Sequence, residues 1–394
     1  MELVFWLCIS AVVYTYIGYA VVLHLLSGTL GAVSDSLYVL RKNERRVAVQ
    51  ADDSQLPSLA VVISAYNEES CIEQRVTNLM AQDYPLGRYR ILIGSDGSTD
   101  GTNGILEAFS DPRLQVFLFE PNRGKATVLN DLLENVSEGI VVFSDANTDF
   151  EAGALRNLAR HFVDEDVGAV CGELQLHNAG KVASANQDSA YWKVERVLKF
   201  HEARLGGLLG ANGGIYAIRK ELYQALPSDT LIDDFMIVMR VAMQGYRVCY
   251  DPAAVAREET SPDVGSEFRR RVRIGTGNYQ AFFRLPGLFH PRHGWLTFTY
   301  VSHKVLRWFV PHLAIGALLA NCFLLSQPFY LITFALQIAV YFCLSLLVWL
   351  KVLDRMPAPV RAAGFLFLMN MAFMVGFVRL FSRDSKGTWA RTVR

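Results

Sequence analysis

Four long apolar runs constrain this chain more than any other feature, because about 20 apolar residues are enough to cross a bilayer core. The first run, residues 3–26, contains no Lys, Arg, Asp or Glu, and three more occupy 309–326, 329–350 and 362–382. A cleaved signal peptide is the alternative for the first run, but the run lacks a basic leader and is too long. The sequence therefore predicts one N-terminal and three C-terminal transmembrane helices.

Basic residues beside these runs predict the side of the membrane on which the rest of the chain lies. The first run is followed by four of them: Arg41, Lys42, Arg45 and Arg46. The positive-inside rule then places the large polar region that follows in the cytoplasm, in a multi-pass protein of the inner or plasma membrane. Counting crossings puts the tail 383–394 outside, yet its four basic residues favour the inside. The sequence leaves the side of the C-terminus open.

Composition and spacing exclude several functional classes. The 38 basic and 38 acidic residues cancel, so no overall field favours a nucleic-acid partner. The six cysteines show no CxxC spacing, and neither a disulfide framework nor a zinc site is expected. Neither a GxGxxG nor a GxxxxGK[ST] motif is present, which argues against a dinucleotide dehydrogenase and a P-loop protein.

Residues 59–252 alternate strand-like with helix-like segments. The strand-like segments LAVVIS, RILIGS, LQVFLF and GIVVFS occupy 59–64, 90–95, 114–119 and 139–144. This alternation predicts an α/β domain with a mostly parallel sheet, in which ligands bind beyond the carboxyl ends of the strands. The segments AYNEE, DGSTDGT, EPNRGKA and DANTD follow these four strands. Carboxylates and amides gathered at one edge suit the ribose and base of a nucleotide together with a hard cation.

Seven motifs in order resemble those of the membrane-integrated family 2 glycosyltransferases of the GT-A fold. That group includes the synthases of hyaluronan, chitin oligosaccharide, poly-N-acetylglucosamine and cellulose. The motifs are VVISAYNEE, ILIGSDGSTDGT, NRGKATVLN, VVFSDAN, GANGGIYAIRK, LIDDF and RRVRI, between residues 61 and 274. The resemblance implies an inverting enzyme that takes a sugar from a UDP-sugar and extends and extrudes a polysaccharide. A single transfer to a lipid-linked acceptor, and an inactive module that binds a nucleotide or polymer, are the alternatives.

The apolar runs and the resemblance together predict six segments. They are an N-terminal transmembrane helix (1–30), a linker (31–57), a cytoplasmic GT-A domain (58–264), amphipathic interface helices (265–308), C-terminal transmembrane helices (309–382) and a basic tail (383–394). The expected partners are the UDP-sugar, the lipid bilayer, and a growing glycan or lipid-linked acceptor. A second copy of the chain or an accessory export subunit is a further candidate, and no nucleic acid is expected.

The resemblance implies a donor site with a metal. Asp145 and Asn147 stand where the family has a DXD-type motif, which holds Mg²⁺ or Mn²⁺ against the donor diphosphate, although Asn147 replaces the second acid. The residues expected to bind the donor are Tyr66, Asn67, Glu68, Asp96, Lys125, Asp145, Arg270 and Arg273. Four alternatives stay open. Asp145 also suits a helix cap, and Lys125 also suits pairing with a nearby acid. The segment DGSTDG, which holds Asp96, also suits an ordinary turn followed by a helix N-cap, and the arginine cluster 269–273 also suits contact with anionic lipid headgroups.

The resemblance also implies an acceptor site. Asp234, with Asp233 before it, stands where the family has the acid that deprotonates the acceptor hydroxyl, and repulsion from Asp233 would strengthen it as a base. Both acids equally suit the first turn of a helix. The residues expected to bind the acceptor are Gly213, Gly214, Glu173 and Ile274. Ile274 stands where relatives carry a Trp platform, so weaker hold on the acceptor and shorter products are expected.

Overall fold

The N-terminal segment forms one long helix in the computed structural model, which describes residues 1–41, 52–177, 184–259 and 264–382. The helix consists of α1 (Glu2–Val13), a π-helical turn (Tyr14–Gly18) and α2 (Tyr19–Arg41). It continues beyond residue 30, where the linker was predicted to begin, because α2 packs against the later helix α7 (Ser184–Leu205). Residues 42–51 of the predicted linker lie outside the described residues.

The polar region folds around one sheet of eight strands. The strands are β1 (Leu59–Ala65), β2 (Tyr89–Asp96), β3 (Leu114–Phe119), β4 (Ile140–Asp145), β5 (Thr148–Phe150), β6 (Val167–His177), β7 (Tyr216–Arg219) and β8 (Arg247–Glu259). Their order across the sheet is β3-β2-β1-β4-β7-β6-β8-β5. Strands β3, β2, β1 and β4 are mutually parallel, whereas β7 joins β4 and β6 antiparallel. The predicted GT-A sheet is confirmed, and its four predicted strands agree with β1–β4.

Helices cover both faces of the sheet. Those of the polar region, besides α7, are α3 (Ile72–Met80), α4 (Thr102–Glu107), α5 (Lys125–Glu134), α6 (Ala154–Ala159) and α8 (Asp233–Met243). Because successive strand residues point to opposite faces, Val141 enters one buried core and Val142 the other. The core that holds Val141 also holds Tyr279, Trp308 and Phe373 from the C-terminal helices. The polar domain and the apolar helices therefore share one core.

The C-terminal part consists of α9 (Val264–Arg284), α10 (Trp295–Thr299), a π-helical turn (Tyr300–Val305), α11 (Leu306–Cys322), α12 (Pro328–Trp349) and α13 (Ala358–Leu380). Short 3₁₀ turns occupy Arg160–Val163, Lys220–Leu222, Pro286–Phe289, Pro291–His293 and Leu353–Arg355. Within the described residues, four stretches are long and apolar enough to cross a membrane: Glu2–Val33, Trp295–Cys322, Pro328–Trp349 and Ala358–Leu380. This agrees with the predicted one N-terminal and three C-terminal membrane helices.

The second of these stretches begins inside the segment that was predicted to hold interface helices. It is longer than expected because α10, the π-helical turn and α11 run on without a break. Helix α9 remains as the long amphipathic helix of that segment. It approaches α13 closely, since an added Cβ on Gly376 would lie 2.7 Å from the backbone nitrogen of Thr276. Small residues allow such contacts between helices, and α9 is thereby fixed against a membrane helix.

Candidate active site

The carboxyl ends of β1, β2 and β4 lie side by side, and the loops that follow β1 and β2 interlock. Asn67 Oδ1 accepts from the backbone N–H of Thr99 at 2.8 Å, and the backbone N–H of Glu68 donates to Thr102 Oγ1 at 2.8 Å. Asn67 adopts a left-handed φ of 55°, which Asn tolerates better than most residues. Tyr66, Asn67 and Glu68 are thus brought to the predicted edge of the sheet, and two of them also hold its loops together.

Asp96, at the end of β2, is fully buried and its charge is met by backbone donors. Its Oδ1 accepts from the N–H of Arg123 and its Oδ2 from the N–H of Gly124, both at 2.8 Å. Gly124 has a φ of 89°, which glycine reaches without strain. Asp96 therefore fixes the turn that starts α5, and this turn places Lys125 at the site. Its predicted contact with the donor stays a prediction.

Lys125 is the cation that meets the acid at the end of β4. Its Nζ lies 2.8 Å from Asp145 Oδ1 and 3.0 Å from Asp233 Oδ2, with only 11% of the side chain exposed. Burial alone would lower the pKa of Lys125, but the carboxylates of Asp145 and Asp233 raise it above its usual value. Lys125 therefore stays protonated. Its pairing with a nearby acid, one of the alternatives that the sequence left open, is present in the structure.

Asp145 and Asp234 face one space across Gly213. A Cβ added to Gly213 would lie 3.4 Å from Asp234 Oδ2 and 3.8 Å from Asp145 Oδ2. Any side chain at this position would enter the space between the two carboxylates. Gly214 is needed for packing, because its added Cβ would lie 3.0 Å from Thr148 Oγ1. Gly213 thus borders the site, whereas Gly214 packs against Thr148 beside it.

The carboxylate of Asp145 suits one protein ligand of a hard cation. Its Oδ1 contacts Lys125, while its Oδ2 points to the space above Gly213, and 32% of the side chain is exposed. No group of three His, Cys, Asp or Glu in the described ranges forms a complete metal cage. Mg²⁺ typically takes few carboxylates and completes its shell with substrate phosphate and water. Asn147 donates a hydrogen bond through Nδ2 to Glu258 Oε1 at 3.2 Å, so its amide nitrogen is bonded to β8.

Asp234 lies in the first turn of α8, in surroundings that favour its protonated form. Its Oδ1 accepts from the N–H of Phe235 at 2.8 Å. Burial, and then the negative charge of Asp233, raise the pKa of Asp234 to about 6, while Lys125 works against them. The sequence suggested the repulsion from Asp233 but missed the larger effect of burial.

Helix α9 brings the predicted arginines to the same carboxylates. Arg270 lies 3.5 Å from Glu267 on its own helix. Burial lowers the pKa of Arg273, and the charge of Arg270 adds to this, while Asp233, Asp145 and Asp234 raise it. Arg273 therefore lies within the electrostatic reach of all three acids. Its neighbour Ile274 is half buried and packs against the main apolar core.

Glu173, predicted to contact the acceptor, is buried, and both of its carboxylate oxygens are paired with side chains of the domain. Its Oε1 lies 3.1 Å from Arg196 of α7, and its Oε2 accepts from the hydroxyl of Tyr250. The neighbouring Asn212 binds the carbonyl of Gly172 at 2.7 Å and accepts from Lys199 of α7. The segment before Gly213 is therefore tied to α7, a link that the sequence did not reveal.

Sequence reasoning also missed Arg75, a fully buried cation beneath the site. Its Nη2 donates to Ser144 Oγ at 2.7 Å, and Ser144 donates to the carbonyl of Gly214 at 2.7 Å. The guanidinium also lies 4.3 Å from the ring centre of Phe150. Arg75 thus connects the end of β4 to the glycine segment. The signal was available, because Arg75 falls on the apolar stripe of α3 with Ile72, Val76 and Leu79.

This fold and this arrangement of acids at the sheet edge define a glycosyltransferase of the GT-A type attached to membrane helices. The chain belongs to the family described as glycosyltransferase like family 2, whose family model matches residues 57–277. The family assignment suggested by the sequence motifs is confirmed.

Curated relatives carry the name poly-beta-1,6-N-acetyl-D-glucosamine synthase. The protein of Staphylococcus aureus (strain COL) is 25% identical over 236 residues, which cover 58% of this chain and 57% of the relative. The protein of Staphylococcus epidermidis is 24% identical over 248 residues, covering 61% and 59%. The chain thus spans less than two thirds of the length of these relatives.

Among solved structures, a mannosyltransferase from Pyrobaculum calidifontis in complex with GDP-Man and Mn²⁺ has a similar fold. The TM-score is 0.64 at 24% identity, and the match covers 93% of this chain and 98% of that chain. At this identity the likeness shows a shared fold over most of the chain.

Proposed function

We propose that this protein is a membrane-embedded inverting glycosyltransferase that uses a UDP-sugar and builds a polysaccharide processively. The observation that carries the proposal is the pair of carboxylates, Asp145 and Asp234, that face one space across Gly213. The cations Lys125 and Arg273 border the same acids. The names of the curated relatives support a polysaccharide as the product.

In this proposal Asp234 is the catalytic base. Its carboxylate takes the proton of an acceptor hydroxyl while that oxygen attacks the anomeric carbon on the side opposite the UDP. The bond from the anomeric carbon to the UDP oxygen breaks, and the configuration at that carbon is inverted. With a pKa of about 6, Asp234 is deprotonated at neutral pH and is still a stronger base than an ordinary carboxylate.

The chain provides positive charge for the departing diphosphate. Arg273 offers a planar set of N–H donors that matches phosphate oxygens. Lys125 holds Asp145 and Asp233 in place. A bound Mg²⁺ or Mn²⁺, held through Asp145 and the diphosphate with Asn147 as a second candidate ligand, would supply further charge stabilisation.

The domain is proposed to face the cytoplasm, where UDP-sugars are made, and the product to leave through the membrane helices. Support comes from the basic residues that follow the first apolar run and from those of the loop 351–361. Cysteine reporters in 43–55 and in 355–361 should then resist an impermeant thiol reagent in intact cells. Labelling at either site before lysis would contradict this orientation.

The decisive experiment uses the full chain purified in detergent with Mg²⁺ or Mn²⁺ and a panel of UDP- and GDP-sugars. The proposal predicts nucleotide release with one UDP-sugar, the inverted anomeric configuration, and products of many sugar units by mass. Asp234→Asn is the matched inactive control, because it keeps the shape of the side chain. A product with a single added sugar would refute processivity, release of GDP alone would refute the UDP donor, and turnover by Asp234→Asn would refute the base.

A further inference from the structure

The turn between β4 and β5 carries Asp145 and Asn147, and β8 places a buried carboxylate directly beside it. Strands β5 and β8 pair antiparallel, with Thr148 opposite Glu258. Only 8% of Glu258 is exposed, and its Oε1 accepts a hydrogen bond from Nδ2 of Asn147 at 3.2 Å. A residue 111 positions further along the chain therefore brings an acid to the place where the metal motif lacks its second one.

The contact with Glu258 fixes which way the amide of Asn147 points. A carboxylate has only acceptor atoms, so the arm of the amide that meets it is the nitrogen. The oxygen Oδ1 lies on the other arm, where within the described residues no donor reaches it and it keeps contact with solvent. Asp145 and Asn147 are both partly exposed, while Ala146 between them is buried. The turn thus offers an amide oxygen two residues from the carboxylate of Asp145.

Glu258 also adds negative charge near the donor site. Burial lowers the pKa of Arg270, but the charges of Glu267 and Glu258 raise it above its ordinary value. The charge of Asp145 acts on Arg270 in the same direction. An acid at position 147 would meet the carboxylate of Glu258, and two like charges in contact disfavour each other. The chain therefore carries one acid on each of two strands, where the family motif carries both in one segment.

We propose that Glu258 is a positioning residue that orients Asn147 as a ligand of the divalent cation. The inference rests on the proposed function, because it concerns the cation held there by Asp145 and the donor diphosphate. Glu258 holds Nδ2 of the amide, and Oδ1 is thereby presented to the cation as a neutral oxygen. Removing a partner that orients a metal ligand typically weakens metal binding by about 10- to 100-fold.

The test measures Mn²⁺ binding to the full chain in detergent with UDP, through the loss of the electron paramagnetic resonance signal of free Mn²⁺. No turnover is needed for this readout. Glu258→Ala should weaken Mn²⁺ binding about tenfold or more, because the amide of Asn147 is then free to turn. Glu258→Gln keeps the shape and an acceptor oxygen, so it should bind Mn²⁺ at least about threefold more tightly than Glu258→Ala. Glu151→Ala is the matched control, since it removes an acid that pairs with Arg257 of β8. It should leave Mn²⁺ binding unchanged.

A double variant, Asn147→Asp with Glu258→Gln, moves the charge to the side chain proposed to face the cation. The introduced amide donates to one oxygen of the introduced carboxylate and leaves the other for the cation. Binding of Mn²⁺ should be tighter than in Glu258→Gln alone, because a carboxylate replaces a neutral ligand. Both substitutions keep the side-chain volume, so the comparison stands even where Glu258→Ala lowers the thermal stability.

Three results would overturn the positioning role. They are unchanged Mn²⁺ binding by Glu258→Ala, an equal loss in Glu258→Ala and Glu258→Gln, and a double variant that binds no more tightly than Glu258→Gln. Failure of the proposed function is visible in the wild type instead. Mn²⁺ binding with GDP but not with UDP would refute the UDP donor, and the variants would then be compared with GDP. A wild type that binds Mn²⁺ with neither nucleotide would refute the metal site and this inference with it.

Discussion

Replacing Asp234 with Asn should stabilise the folded protein while it abolishes sugar transfer. The pKa of Asp234 is raised from its usual 3.8 to about 6, because burial and Asp233 disfavour the charged form. Each pKa unit corresponds to about 1.4 kcal/mol, so the ionised side chain costs the native state about 3 kcal/mol at pH 7.5. Asn removes this cost and keeps an oxygen for the N–H of Phe235. For a polar domain of about 200 residues the gain corresponds to an increase in Tm of about 6–12 °C.

The gain should depend on pH in a defined direction. Above pH 6, Asp234 is ionised in both the folded and the unfolded chain, and the full cost is present. As the pH falls from 6 towards 3.8, the folded protein takes up the proton first, and the cost disappears. The advantage of Asp234→Asn should therefore be complete at pH 7.5 and reduced to about 0.5 kcal/mol near pH 4. Transfer by the wild type should fall over the same upper range, since the base becomes protonated below about pH 6.

Thermal unfolding in detergent at a series of pH values measures the effect, with UDP binding as a check on the donor site. Asp233→Asn is the matched control, because it removes one of the two carboxylates that pair with Lys125. That variant should lower Tm, since it weakens the compensation of a buried cation. If Asp234→Asn lowers Tm at pH 7.5, or gains as much at pH 4 as at pH 7.5, the inference that burial raises the pKa of Asp234 is refuted.

Three further predictions concern the donor and acceptor sides. Asp145→Ala should abolish turnover and the Mn²⁺-dependent part of UDP binding in a titration, and binding that keeps its metal dependence would place the cation elsewhere. Arg273→Ala should reduce turnover by about a hundredfold, as expected for a group that stabilises developing charge, whereas the exposed Arg269→Ala should change it by less than about twofold. Full activity of Arg273→Ala would make the arginine cluster 269–273 a membrane anchor alone. Ile274→Trp should lengthen the products by adding an aromatic face, and an unchanged length distribution would exclude a platform at this position.

Several features were predictable because their signals are local in sequence. The predicted strands 59–64 and 114–119 correspond to β1 (Leu59–Ala65) and β3 (Leu114–Phe119), since runs of β-branched and apolar residues between turn residues carry this information. The membrane helices were predictable because length and apolarity alone decide whether a segment can cross a bilayer. The acids at the strand ends were predictable as a group, because parallel strands bring their carboxyl ends to one edge.

The sequence by itself determined the α/β class, the four apolar helices and the set of polar residues at the sheet edge. Only the tertiary structure decided which charges meet: Lys125 pairs with Asp145 twenty positions away and with Asp233 more than a hundred positions away. It also decided that Arg75 lies buried under the glycine segment and that Glu173 pairs with Arg196. The physical reason is that ion pairing and desolvation depend on separation and burial in space. Neither quantity is written in the local pattern of residues, so the partners of each charge appear only when distant segments are folded together.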